Sequence, residues 1–362
     1  FGLSIAITPL LGLALNYTPF GIRLSPVLIV LSVFTISLAI CTYVRRSKIP
    51  EGDRFVVAFE APFKATKEPF KTTDTKIGKQ STKNRIILTD NQKKLLSSLL
   101  FFLSFIFLIR FIDLIRNGIP QNFIFFWIPV LLIFACPLYK ILTFKGERNW
   151  LPLILFEIIL IAFIFRAIRI FLIKDTLPGM DDGYIFLHST EYIIQHQDFL
   201  FTGSDVTKWP FIQLLTIIIS EISDFTLFNC ALFFPTLLTS ISMVFVYLIA
   251  KEVYGDKKAA LLSCLAFSPY FYSALIGARF QYQNLAFIFL LICLFLFFKN
   301  FEVKNLKFHS LTLFFIFGVT LSHHLTNAFL VAFFVIILLS ALLLNWFLKL
   351  IPWEKFKNFF NS

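Results

Sequence analysis

The sequence predicts an all-α, polytopic transmembrane helix bundle of about ten spans, and three observations predict it. Of the 362 residues, 58% are apolar, against roughly 45–50% in soluble domains, and the mean hydropathy is +0.81. Uncharged stretches of 15 to 24 residues recur along the whole chain, the length needed to cross a hydrocarbon core. Lys and Arg gather in loops that alternate with the other loops from span to span.

The spans fall at 1–17, 25–44, 95–115, 122–143, 151–173, 228–249, 259–277, 284–298, 310–322 and 325–348. The chain opens at Phe1 inside an apolar run, without a signal peptide's charged n-region or small-residue cleavage site, and is read as truncated there. The organisation expected is a two-span module over 1–44, a basic loop over 45–94, two further spans over 95–143 and a larger unit over 144–362. The apolar segment 210–222 is short for a crossing and fits an interfacial or re-entrant helix.

The net charge of +12 would suggest nucleic acid in a soluble protein. Here its placement reads as topology, and no nucleic-acid partner is expected. Loops 45–94, 140–149, 251–258, 299–309 and 349–357 hold 25 of the 33 Lys and Arg. Their excess assigns them to the cytoplasmic side of a multi-pass cell-membrane protein. Segment 174–227 then faces outward. Five cysteines (Cys41, Cys136, Cys230, Cys264, Cys293) lie in apolar spans, form no CxxC pair and read as packing residues.

The outward loop begins KDTLPGMDDGYIFLHSTEYIIQHQDF. Pro178-Gly179 marks a turn after span 151–173, and Asp181 and Asp182 follow at the membrane lip. Tyr184 to Gln197 reads as an amphipathic helix, with Ile185, Leu187, Tyr192, Ile193 and Ile194 apolar and His188, Glu191 and Gln195 polar. Adjacent acids there have two readings. They cap a helix N-terminus, or they supply a general base or ligands for a divalent metal. The readings are compatible, since one Asp can cap while the other faces substrate.

Charges inside spans are costly and usually face a bundle interior or cavity. Glu157, Arg166 and Arg169 are of this kind, and the arginines' i, i+3 spacing also suits an anionic lipid phosphate. Arg110 and Asp113 share that spacing and are expected to pair locally. His323 and His324 end a span together, but adjacent helical residues point in different directions. GxxxxGK[ST], HExxH, GxSxG and GxGxxG signatures are absent, which disfavours nucleotide-driven pumps and metalloproteases of those types.

The run PGMDDGYIFLHSTEYI after a hydrophobic span resembles the first external loop of GT-C membrane glycosyltransferases. Trp209-Pro210, Lys251 to Gly255, Ser268-Pro269 and His323 to Thr326 match later elements of that superfamily in order, and the resemblance covers about 150–348. It implies an inverting transfer from a polyprenyl-phosphate-linked sugar to a glycan or surface-protein acceptor on the external face. Asp181 or Asp182 would be the catalytic carboxylate. The leaving phosphate needs a positive partner, for which Arg279 in GARFQYQN is favoured and Lys208 comes second. An Arg at a helix end also commonly snorkels to the interface. His323, His324, Glu191 and His188 are candidates for acceptor or metal contact; the resemblance leaves the metal unknown, and no other cofactor is implied. The first 60 residues resemble an archaeal membrane-protein family known only as a domain of unknown function, which favours a cell-surface glycosylation context. Rival readings are a transporter or lipid flippase, or a non-catalytic assembly protein that docks a partner on 45–94.

Overall fold

The computed structural model describes residues 2–47, 89–119, 124–147, 149–173, 176–178, 181–196, 210–270, 277–303 and 306–350, and every regular element among them is helical. In chain order these are α1 (Gly2–Asn16), α2 (Leu24–Ser47), α3 (Asp90–Arg116), α4 (Ile124–Leu142), α5 (Trp150–Leu172) and α6 (Asp181–His196). They continue with α7 (Phe211–Ser223), α8 (Leu227–Ile241), α9 (Met243–Tyr254), α10 (Lys257–Phe267), α11 (Tyr282–Val303), α12 (Leu306–Ser322) and α13 (His324–Leu350).

Seven rods are long and apolar enough to cross a membrane: α2, α3, α4, α5, the pair α8–α9, Tyr282–Asn300 of α11 and His324–Leu343 of α13. The chain is a multi-pass helical membrane bundle. The expected spans 1–17 and 310–322 correspond to α1 and α12, of 15 and 17 residues; 259–277 begins as α10, and 271–276 lie outside the described residues. Helix α10 stops at Phe267: Ser268 still has helical angles, but Pro269 has no N–H to continue the ladder.

Helix α7 departs from one of the two expectations for its segment, the interfacial one. It is 13 residues long, about 20 Å, yet an interfacial helix would keep one face wet. Phe211 through Ile218 are all buried, enclosed by α1, α2, α6, α8, α11 and α12. The bundle has two main cores. One joins α3, α4, α5, α9 and α10 through residues such as Phe101, Ile133, Ile158 and Cys264. The other joins α1, α7, α8, α11, α12 and α13 through Phe211, Phe289, Phe315 and Leu330.

Local signals fix several helix starts. Thr89 accepts from Gln92 N–H at 3.3 Å while Gln92 Oε1 accepts from Thr89 N–H at 2.8 Å, a reciprocal cap on α3. Asp256 accepts from the N–H groups of Lys258 and Ala259 to open α10. These bonds hold its carboxyl below the usual carboxylate range.

Described parts of four basic loops lie at one end of the bundle. Lys94 pairs with Glu147 at 2.7 Å, Lys145 with Asp90 at 3.3 Å, and Lys258 Nζ donates to the Leu142 carbonyl at 3.4 Å. Beyond the short turn from α9 to α10, Lys299 pairs with Glu252 at 3.2 Å. Two cations counted as loop charge prove structural. Lys140 is fully buried inside α4, where its ammonium donates to Glu157 of α5 and to Ser98 of α3 at 2.8 Å. Lys94 is buried in the first turns of α3. Arg110 and Asp113 form the expected local pair at 2.5 Å. Cys136, Cys230, Cys264 and Cys293 are buried, whereas Cys41 lies exposed on α2, outside any core.

Candidate functional site

At the opposite end, three chain segments converge. Helix α6 begins at Asp181, and Asp182 follows in its first turn, exposed. Across from it runs 277–284, the end of the GARFQYQN loop and the start of α11. Gln281 Nε2 donates to Asp182 Oδ2 at 2.8 Å, and Gln281 Oε1 accepts from Gln283 Nε2. The third segment is the break between α12 and α13. There His323 packs its ring 4.6 Å from that of Tyr282, which in turn lies 4.8 Å from Phe186 on α6. An aromatic file and an amide file thus run side by side from α6 toward the helix break.

Both files end at a cavity of about 310 Å³. Its polar wall is Thr239, Gln283, Asn284, His323 and Thr326. Its apolar wall includes Phe267, Tyr270, Phe287, Leu290 and Phe329. Leu325 and Phe329 border it from α13, whose membrane-length window is only 11% buried, so the cavity opens toward the surface that hydrocarbon would cover.

Of the expected site residues, Asp182, Arg279 and His323 are brought to this end of the bundle, and Lys208 lies outside the described residues. Arg279 is half-buried with its Nε shielded and unbonded, while its carbonyl accepts from Asn284 Nδ2 at 2.6 Å, which fixes the loop against the first turn of α11. His188 and Glu191 sit on the outer face of α6, 3.7 Å from each other. His323 is buried and His324 exposed, with their rings 5.0 Å apart across the helix break. Burial, with the His324 ring beside it, pulls the His323 imidazole down to about 4, so it is neutral at pH 7.

The buried face of α6 differs from the one expected. Phe186, Leu187, Thr190 and Ile193 face inward, while Ile185 and Ile194 are exposed. Arg166 is 1% exposed and donates through Nη1 to the carbonyls of Ala162 at 2.8 Å and Ser268 at 3.2 Å. The second is a carbonyl at the C-terminal end of α10, where helix carbonyls lack partners and a cation is favoured. Arg166 therefore braces the cavity's back wall. Gln281 and Gln283 escaped the sequence reading because neutral amides carry neither charge nor periodicity.

Among the described residues no group of three or more His, Cys, Asp and Glu converges. Asp182 Oδ2 accepts from the Gln281 amide, and the Asp181 side chain lies outside the described residues.

The cavity wall and the loop beside Asp182 fall in one stretch of chain. Residues 207–355 match the family model for dolichyl-phosphate-mannose-protein mannosyltransferase. The mannosyltransferase-like segment thus supplies Gln281, Gln283, Arg279 and His323, and α6 with its acids lies just ahead of it. Residues 1–72 match a domain of unknown function. No curated protein and no solved structure matches the chain.

Proposed function

We propose that this protein is a membrane glycosyltransferase that moves a sugar from a polyprenyl-phosphate-linked donor to an acceptor on the external face. The observation that carries the reading is the Asp182–Gln281–Gln283 file, which runs from an exposed carboxylate to the lipid-side cavity within and beside the mannosyltransferase-like segment, with the Arg279 loop next to it in sequence.

In the proposed step the acceptor hydroxyl oxygen attacks the sugar's anomeric carbon and the bond from that carbon to the phosphate oxygen breaks, inverting the centre. Asp182 takes the hydroxyl proton as general base, a role that contributes about 10²–10⁴ in rate. Asp181, its neighbour at the helix start, is the alternative base. Polyprenyl phosphate departs carrying the electron pair, and Arg279 neutralises the charge that develops on it. Gln281 and Gln283 orient the carboxylate from behind. The end holding the basic loops is the cytoplasmic one, because Lys and Arg are retained on that side; the site then faces out.

The test is transfer from polyprenyl-phosphate mannose, and from other sugars on the same carrier, by the purified protein in lipid. Asp182→Asn and Asp181→Asn are compared with the unmodified chain. A drop of about 10²-fold or more in one variant supports the base, and full transfer in both removes it.

A further inference from the structure

The break between α12 and α13 holds a histidine whose tautomer is readable from its neighbours. His323 Nδ1 lies 3.2 Å from the backbone N–H of Thr326 and 2.6 Å from Thr326 Oγ1. A backbone N–H can only donate, so Nδ1 must be the accepting nitrogen. A neutral imidazole has one acceptor and one N–H. The proton therefore sits on Nε2. The ring is 5% exposed, lines the cavity, and is held between Tyr282 at 4.6 Å and His324 at 5.0 Å. Nε2–H is thus a donor on the cavity's polar wall, which faces a wall rich in Phe and Leu.

This tautomer is the wrong one for binding metal through Nε2. A neutral histidine that ligates through Nε2 carries its proton on Nδ1 and donates it to a carbonyl or carboxylate, whereas here Nδ1 accepts from the Thr326 backbone N–H and the Thr326 hydroxyl lies beside it, able to donate in the same tautomer. The cavity's other features suit an amphipathic guest. Tyr270, Leu325 and Phe329 border it with 55%, 50% and 63% exposure, on a side where α13 meets lipid. Thr239, Gln283 and Asn284 gather with His323 on the polar wall.

We propose that His323 donates a hydrogen bond through Nε2–H to an oxygen on the polar head of a prenyl lipid seated in this cavity, and is not a metal ligand. The inference rests on the proposed function for the lipid class, and adds the residue that reads the head. The oxygen belongs to the phosphate or to the sugar, and the experiment separates them.

The full chain in nanodiscs is titrated with farnesyl phosphate, which offers phosphate oxygens alone, and with dodecyl mannoside, which offers sugar oxygens alone. Each is run on the unmodified protein, His323→Gln and His323→Leu. Glutamine keeps an N–H donor near the Nε2 position, and leucine keeps only bulk. The expected result is a loss of about three- to thirtyfold in affinity for one probe in His323→Leu, the range of one hydrogen bond, with His323→Gln within about threefold of the unmodified chain. The probe that loses affinity identifies the oxygen. Equal affinities in His323→Leu for both probes, or equal losses in both variants, overturn the donor role while the transferase reading stands. Loss of affinity on adding a divalent-metal chelator only when His323 is present overturns the tautomer argument. If the unmodified chain binds neither probe, the lipid-donor reading fails and takes this inference with it.

Discussion

Asp182 and Gln281 are 99 residues apart in sequence and share a hydrogen bond of 2.8 Å, the amide donating to the carboxylate. That bond sets the direction of the file behind it, because an amide that donates through nitrogen must accept through oxygen, and Gln283 supplies the donor. Gln281→Leu removes the partner without removing the base. Transfer is expected to fall about tenfold, less than the 10²–10⁴ of a lost general base. Gln281→Glu sets a like charge beside Asp182 and is expected to cost more than the leucine variant. Transfer rates at matched expression check both, and a Gln281→Leu protein as impaired as Asp182→Asn would contradict the supporting role.

Arg279 carries the counter-charge in the proposed step. Arg279→Ala is expected to lower kcat by about 10²–10³, the cost of losing a donor aimed at developing charge. Arg279→Lys keeps the charge but loses the planar fork and should recover part of the rate. A fall in apparent donor affinity with kcat unchanged would instead place Arg279 in ground-state binding.

Lys140 and Glu157 form an ion pair, fully buried among α3, α4 and α5, with Ser98 as third partner. Removing one member strands a charge, at about 3–5 kcal/mol. Glu157→Leu or Lys140→Met alone should lower the melting temperature in detergent sharply. The double variant should recover most of the loss, since well-packed apolar replacements of buried pairs are often neutral. Melting curves for the three proteins decide this, and additive losses would show that the pair is not the unit.

At the same end, the Lys94 side chain is 3% exposed and that of Glu147 is 37% exposed. The Lys94 ammonium holds the Glu147 carboxyl below its usual 4.5. A depressed carboxylate stabilises the fold above its ordinary value, and the contribution disappears as pH falls from about 4.5 through the lower folded value. Glu147→Gln should therefore flatten the acid limb of the stability curve. Solvent screening limits the effect to about 1 kcal/mol or less. Melting from pH 7 to pH 3 measures it.

The helical membrane bundle was legible because span length and charge distribution are properties of composition along the chain. That residues 182, 279 and 323 lie at one end of the bundle follows from the topology of the folded chain, and no local sequence pattern places them there. Two misreadings have physical causes. Lys140 looked like loop charge because a basic residue at the end of an apolar run usually snorkels to water, and only its partner on another helix reveals burial. The inward face of α6 was drawn without Phe186, so the stripe was rotated by about one residue, 100° on a helix. For α7 the sequence left an interfacial and a re-entrant helix open, because its length rules out a crossing but says nothing about what surrounds it, and its burial disfavours the interfacial one.

Gly277 tests whether the cavity wall is as tightly built as its contacts imply. A Cβ there would lie 2.9 Å from Thr239 Oγ1 and 3.0 Å from Arg166 Nε. Neither neighbour is free to move. Thr239 Oγ1 is 3.0 Å from the Gly277 carbonyl, to which it donates, and the Arg166 guanidinium is anchored on the Ala162 and Ser268 carbonyls. Gly277→Ala must displace one of them, and overpacking of this kind costs about 1–3 kcal/mol. The melting temperature should fall accordingly. Because the displaced atoms stand behind Thr239 on the cavity's polar wall, prenyl-phosphate affinity should weaken together with stability. Thr239→Ala removes the hydroxyl that the new Cβ would meet, so in the Gly277→Ala background it is expected to restore part of the melting temperature. A Gly277→Ala protein with unchanged melting and unchanged affinity would mean that the wall yields at no cost, and the fixed placement inferred for its polar groups would go with it.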